Sequence, residues 1–155
     1  MPFILGIASG VIVAVLIHRM LLASRKAAAE EEVAPRLVSL ELARAKRIGY
    51  GLALALFSPG PGDREDLYRW LAGRGHSLKL RDYDIILHWP GRELLILLPG
   101  ADVNSRGPLR ERIEGLLLEG GWEHISFGIV LFPEDSDELE ALLQLARNRQ
   151  AVRRG

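Results

Sequence analysis

The feature that most constrains the fold of this chain is a pair of apolar segments on either side of Pro90-Gly91. Residues 84–89 and 94–98 are rich in Ile, Leu and Trp, and each is short enough to be a strand. A Pro-Gly pair between two such segments is a strong turn signal. The pattern predicts a β-hairpin, and therefore a sheet on which the other elements must pack.

Strand-like and helix-like segments alternate along the rest of the chain. Residues 52–57 and 125–132 are continuous apolar runs, and the first ends in a Ser-Pro-Gly-Pro-Gly loop. Apolar residues at helical spacing predict helices over residues 63–72, 108–119 and 139–149. This order of elements predicts an α/β (α+β) fold, with a single mixed sheet and helices packed on it.

Composition excludes several classes of function. Lys plus Arg and Asp plus Glu both number 20, so the formal net charge is zero and nucleic acid is not expected as a partner. The chain has no cysteine, which excludes disulfides, thiolate zinc sites and cysteine nucleophiles. Its four histidines are scattered without the spacing of metal ligands, so neither a metal site nor a cofactor is expected.

The N-terminal segment predicts a membrane anchor. Residues 2–17 carry no charged side chain and are almost wholly apolar, and the basic residues Arg19, Arg25 and Lys26 come after them. We therefore expect residues 1–24 to form a single transmembrane helix, with the C-terminal domain in the cytoplasm beneath the inner membrane. A signal peptide or a buried helix is the alternative, although no basic residue precedes the apolar run.

A helical linker is expected between this anchor and the domain. Residues 25–40 begin with strong helix formers, and Pro35 predicts a break in the helix. The amphipathic stripe that follows either packs on the domain or pairs with a second copy of the chain. The domain itself is predicted to span residues 41–155.

Two short motifs at a fixed spacing suggest a family. Arg81-Asp82-Tyr83-Asp84 lies five residues before Pro90-Gly91-Arg92-Glu93-Leu94, and residues 126–135 read Ser-Phe-Gly-Ile-Val-Leu-Phe-Pro-Glu-Asp. In this order, they resemble the inhibitory motif, the signature loop and the late strand of a GGDEF domain, the fold of diguanylate cyclases. The resemblance covers roughly residues 41–154.

The resemblance implies that catalysis has been lost. In this family, one metal-binding carboxylate lies at the end of the first strand, where this chain has Ser58, and another is the third residue of the signature loop, here Arg92. Phosphoryl transfer requires the metal ions that these carboxylates hold. Pro90 replaces a signature glycine, Leu94 replaces the phenylalanine, and only Glu93 of the acidic positions survives. An enzyme is not expected.

The resemblance also implies a binding site for cyclic di-GMP. Arg81 and Asp84 occupy the family's Arg-x-x-Asp positions, and Arg112 lies where members often supply a further arginine. A guanidinium can donate two hydrogen bonds to guanine, and a carboxylate can accept from its N–H groups. The expected function is a membrane-anchored receptor that relays cyclic di-GMP to a membrane protein partner or acts as a homodimer.

A second interpretation assigns Arg81 and Asp84 to the solvated end of a strand. The domain would then be a structural module that binds no nucleotide and assembles a membrane complex. The sequence alone leaves both interpretations open.

Overall fold

The computed structural model describes residues 2–73 and 84–153. Its elements, in chain order, are α1 (Pro2–Ile48), β1 (Leu52–Ser58), α2 (Arg64–Gly73), β2 (Ile85–Trp89), β3 (Glu93–Pro99), α3 (Arg106–Glu119), β4 (Ser126–Phe132) and α4 (Leu139–Arg153). A short 3₁₀ turn, Val103–Ser105, precedes α3. The predicted hairpin is confirmed as β2 and β3, and the predicted α/β fold is confirmed with it.

The strands form one four-stranded sheet in the order β2-β3-β1-β4. All three described pairings are antiparallel, so the prediction of a mixed sheet is wrong. The reason lies in the order of the strands. Strands β3 and β4 run in the same direction, but β1 lies between them and pairs with both.

Two hydrophobic cores cover the two faces of the sheet, because successive side chains of a strand point to opposite faces. On one face, Ala53, Ala55 and Phe57 pack with α2 and α3. On the other face, Leu54 and Leu56 pack with α1 and α4. Strand β1 is buried on both faces, which explains its continuous apolar run.

Helix α1 continues through Pro35, so the predicted break at this residue is wrong. Proline removes one backbone donor and crowds the preceding turn. Ala34 and Val38, on either side of it, are fully buried against the sheet, and this packing holds the helix in place. The side of α1 that packs on the domain carries Ala34, Val38, Leu42 and Ala45, whereas Leu37, Leu40 and Ile48 of the predicted stripe are exposed.

The N-terminal part of α1 was expected to cross a membrane. In the part of the chain whose side chains the structure describes, which begins at Val15, no helix is both long and apolar enough for a membrane crossing.

Candidate functional site

The hairpin turn holds the residues that correspond to the signature loop. Trp89 pairs with Glu93, and Pro90, Gly91 and Arg92 form the turn between them. Gly91 and Arg92 have φ angles of 83° and 62°, in the left-handed region that glycine adopts most readily. The sequence places an arginine in this region, at the exposed tip of the hairpin.

Glu93 is buried and already paired within the domain. Its side chain accepts a hydrogen bond from Arg147 Nη2 at 2.8 Å and a second from Arg147 Nε at 3.3 Å. The hydrogen bond to Glu93 raises the pKa of Arg147, although burial acts in the opposite direction. Both carboxylate oxygens of Glu93 are therefore engaged by a cation from α4.

Ser58, at the end of β1, is engaged by α4 in the same way. Its hydroxyl donates to Gln150 Oε1 at 2.6 Å, and Gln150 Nε2 donates to the Leu56 carbonyl oxygen at 2.6 Å. Gln150 is only 5% exposed, so these bonds satisfy a buried amide. Helix α4 thus binds the side chains of both Ser58 and Glu93.

Ser58 and Glu93 are neighbours in the sheet. Phe57 pairs with Leu94, so one residue further along this register Ser58 lies opposite Glu93. Divalent cations such as Mg²⁺ bind oxygen ligands, chiefly carboxylates. Here the available groups are a serine hydroxyl, the Glu93 carboxylate already bound to Arg147, and the cationic Arg92. These side chains do not suit a divalent cation.

The residues predicted to bind the dinucleotide are only partly described. Arg81 lies outside the described residues. Asp84 directly precedes β2 and is half-buried, and Arg112 is exposed on α3. Asp84 lies two residues before Ile86, so the two side chains point to the same face of the sheet. Ile86 packs against the hydrophobic core that also contains residues of α2 and α3. Because Arg112 is on α3, Asp84 and Arg112 lie on the same side of the sheet.

His88 is a site residue that sequence reasoning missed. It lies in a segment predicted to be a strand, but it is 3% exposed and lies between two carboxylates. His88 Nδ1 is 3.0 Å from Glu30 Oε2, and His88 Nε2 is 2.7 Å from Glu65 Oε1. Tyr68 stacks on the ring with centroids 4.2 Å apart. The signal in the sequence was the position of a histidine inside an otherwise apolar strand.

No family model and no curated protein matches this sequence. Solved structures do match. A diguanylate cyclase (DGC) protein from Thermotoga maritima aligns with a TM-score of 0.63 and 18% identity, over 77% of this chain and 93% of that chain. The fold is that of a GGDEF domain.

Two further GGDEF domains show the same likeness. DgcB from Caulobacter crescentus, solved in complex with c-di-GMP, aligns with a TM-score of 0.57 and 11% identity, over 80% of this chain and 84% of that chain. The GGDEF domain of YfiN (or TpbB) from Pseudomonas aeruginosa has a TM-score of 0.53 and 21% identity, over 74% of this chain and 83% of that chain. The predicted resemblance is confirmed at the level of the GGDEF fold.

Proposed function

We propose that this chain is a catalytically inactive GGDEF domain that binds cyclic di-GMP through Arg81, Asp84 and Arg112. In this proposal, the domain is tethered to the inner membrane by its N-terminal helix and passes ligand occupancy to a membrane protein partner. The observation that carries the proposal is the pairing of Glu93 with Arg147 at the position of the signature loop.

Loss of catalysis is supported by the geometry around this pair. A carboxylate that already accepts two hydrogen bonds from a guanidinium has little capacity left for a metal ion, and Arg92 adds a repulsive charge beside it. Ser58 offers only a hydroxyl that is donated to Gln150. A domain with this arrangement retains the fold but lacks the metal ligands that phosphoryl transfer requires.

Ligand binding is supported by the Arg-x-x-Asp spacing on a GGDEF fold. Asp84 precedes an edge strand and Arg112 is exposed on the same side of the sheet, so both can be reached from solvent. Together with Arg81, they supply the donors and acceptors that a guanine edge and a phosphate require.

Calorimetric titration of the full-length chain with cyclic di-GMP tests the receptor role. We expect micromolar or tighter binding that the Arg81→Ala/Asp84→Ala variant loses. Arg69→Ala/Asp66→Ala is a matched control, because it removes an exposed Arg–Asp pair of the same spacing from α2. Absence of binding by the folded wild type would overturn the receptor role.

Incubation with GTP and Mg²⁺ tests the loss of catalysis. We expect no cyclic di-GMP to form at any protein concentration. Turnover that Glu93→Gln abolishes would show that the domain is an enzyme after all.

Membrane attachment is tested separately by fractionation of cells that express the full-length chain. We expect it in the membrane fraction after a carbonate wash, and a chain lacking residues 1–24 in the supernatant. Full-length chain in the supernatant would contradict the proposed anchor.

A structural interaction module is the second candidate, and one observation favours it. Val33, Leu37 and Leu40 of α1 are 45–59% exposed, although the opposite side of the helix packs on the domain. An apolar stripe of this kind suits a protein partner. Arg81→Glu separates the candidates, since it abolishes signalling by a receptor and leaves a scaffold assembled.

A further inference from the structure

Five side chains connect α1 with α2 and β2, and we call this group the α1 clasp. Its members are Glu30 and Glu31 of α1, Arg64 and Glu65 of α2, and His88 of β2. Glu30 makes two of the contacts, because its Oε1 accepts the His88 backbone N–H at 2.9 Å while its Oε2 lies 3.0 Å from the ring. Glu31 forms a second connection through an ion pair with Arg64.

His88 is the buried member of the clasp, and the carboxylates that contact it are partly exposed. The side chain of His88 is 4% exposed and that of Glu30 is 17% exposed. Ionised carboxylates only accept hydrogen bonds, so the contacts at both ring nitrogens are hydrogen bonds when both nitrogens carry a proton. The His88 ring lies between the carboxylates of Glu30 and Glu65 and contacts both.

The clasp lies where α1 leaves the domain. Ala34, Val38 and Ala45 of α1 are fully buried against the sheet, one or more turns beyond Glu30. On the N-terminal side of the clasp, Val15 and Leu22 are about half exposed. Glu30 and Glu31 therefore contact α2 and β2 close to the point where α1 leaves the domain.

The same clasp contacts the strand that begins at the candidate ligand site. His88 lies four residues after Asp84 and on the same face of the sheet, since side chains alternate along a strand. A shift of the Asp84 end of β2 along the strand direction would displace His88, and with it the ring and the backbone N–H that contact Glu30. Burial and the carboxylates of Glu30 and Glu65 raise the pKa of Tyr68, which covers the ring from α2.

We propose that the α1 clasp couples the orientation of the N-terminal helix to the Asp84 end of β2, so that ligand binding and helix orientation depend on each other. The coupling to ligand rests on the proposed function. Coupling free energies are reciprocal, so a change that releases α1 must also alter the affinity for a ligand bound at Asp84.

The absence of cysteine makes the helix orientation directly measurable. Spin labels attached to Arg25→Cys, at the exposed N-terminal side of the clasp, and to Leu118→Cys, an exposed position of α3, report one distance distribution in the full-length chain. In the absence of ligand, we expect a narrow distribution for the wild type. Glu30→Ala should broaden it, because the link from His88 to α1 is lost.

Glu65→Ala is the matched control. It removes a carboxylate from the same imidazole but leaves the link between His88 and α1 in place. Equal broadening by Glu30→Ala and Glu65→Ala, or no broadening by Glu30→Ala, would overturn the link between Glu30 and His88 as the determinant of helix orientation. Should Glu30→Ala fail to fold, Glu30→Gln keeps the side-chain volume and weakens the same contact, and the same comparison then applies.

Calorimetry with cyclic di-GMP on the same variants separates this inference from the proposed function. With a functional receptor, we expect Glu30→Ala to change Kd by roughly 5-fold or more, which is the lower end of common allosteric couplings. Lys46→Ala, which removes an exposed ion pair at the other end of α1, should leave Kd unchanged. Wild-type binding with an unaltered Kd in Glu30→Ala would overturn the coupling alone, whereas no wild-type binding would overturn the proposed function and the coupling to ligand with it.

Discussion

Asp135 illustrates how a single side chain stabilises a sheet edge. It follows β4, accepts a hydrogen bond from the Leu131 backbone N–H at 2.7 Å, and forms ion pairs with Arg106 and Arg149. Burial alone would raise the pKa of Asp135, but hydrogen bonds from Arg149, Leu131 and Arg106 outweigh it and lower the pKa from 3.8 to about 2. The folded state therefore stabilises the ionised form of the Asp135 carboxyl.

This lowered pKa predicts a loss of stability in acid. The folded-state pKa lies below the unfolded-state value, so the stabilisation is present above pH 4 and disappears as the pH falls toward 2. Asp135→Asn should cost about 2 kcal/mol at pH 7, with a deficit that shrinks between pH 4 and pH 2. Urea denaturation across this range measures it, and a deficit independent of pH would contradict the assignment.

The pairing of Glu93 with Arg147 gives a second prediction at this scale. Arg147→Ala leaves a buried carboxylate without its main partner, which should reduce the free energy of unfolding by roughly 1–3 kcal/mol. Glu93→Gln/Arg147→Ala should lose less than the sum of the two single variants, because the charge that needed a partner is gone. Strict additivity in denaturant unfolding would show that the pair contributes no coupling.

Sequence reasoning singled out only Glu93 of this pair. Glu93 was visible as the surviving acidic residue of the signature loop, but Arg147 lies 54 positions later and no local pattern connects them. The same holds for Ser58 and Gln150, and for Glu30 and His88. Contacts between distant segments follow from tertiary packing, which periodicity does not encode.

At the scale of elements, helix α4 approaches β4 more closely than a side chain on the strand would allow. A Cβ atom added to Gly128 would lie 2.1 Å from the Ala146 carbonyl oxygen, which is backbone and has little freedom to move. This close approach brings Arg147 and Gln150 to the end of the sheet where Ser58 and Glu93 lie. Gly128 therefore permits the interactions of α4 with Ser58 and Glu93.

Gly128→Ala should destabilise the domain by roughly 1–3 kcal/mol, because α4 must move away from β4. Gly115→Ala provides the comparison. Its Cβ would meet nothing within 4 Å, and it lies inside α3, where alanine is favoured by about 0.5–1 kcal/mol over glycine. Chemical denaturation should thus shift in opposite directions for the two variants, and a shift in the same direction would refute this account of Gly128.

Element types were predictable where local chemistry is decisive. The turn at Pro90-Gly91 and the helix that begins near Pro108 follow from residues whose backbone preferences are narrow. Pro35 was misjudged for the converse reason, since burial of Ala34 and Val38 outweighs the local cost of a proline within a helix. Tertiary packing overrides a local preference in this case.

For the molecule as a whole, ligand binding should appear as increased thermal stability. A ligand that binds only the folded state at 100 times its Kd stabilises it by about 2.7 kcal/mol. In a chain of this size, that corresponds to a rise in Tm of roughly 5–10 °C. Cyclic di-GMP should raise the Tm of the wild type and of Arg69→Ala/Asp66→Ala, and should leave Arg81→Ala/Asp84→Ala unchanged. A rise in all three would place the ligand elsewhere.

Charged side chains bind backbone groups of both outer strands of the described sheet. Glu30 accepts the His88 N–H on β2, while Asp135 accepts the Leu131 N–H and Arg149 donates to the Ile129 carbonyl oxygen on β4. A strand from another molecule would have to displace one of these partly buried charged side chains before it could pair with β2 or β4 at these positions. The protein is thereby protected from edge-to-edge aggregation, a hazard for any open sheet this rich in leucine.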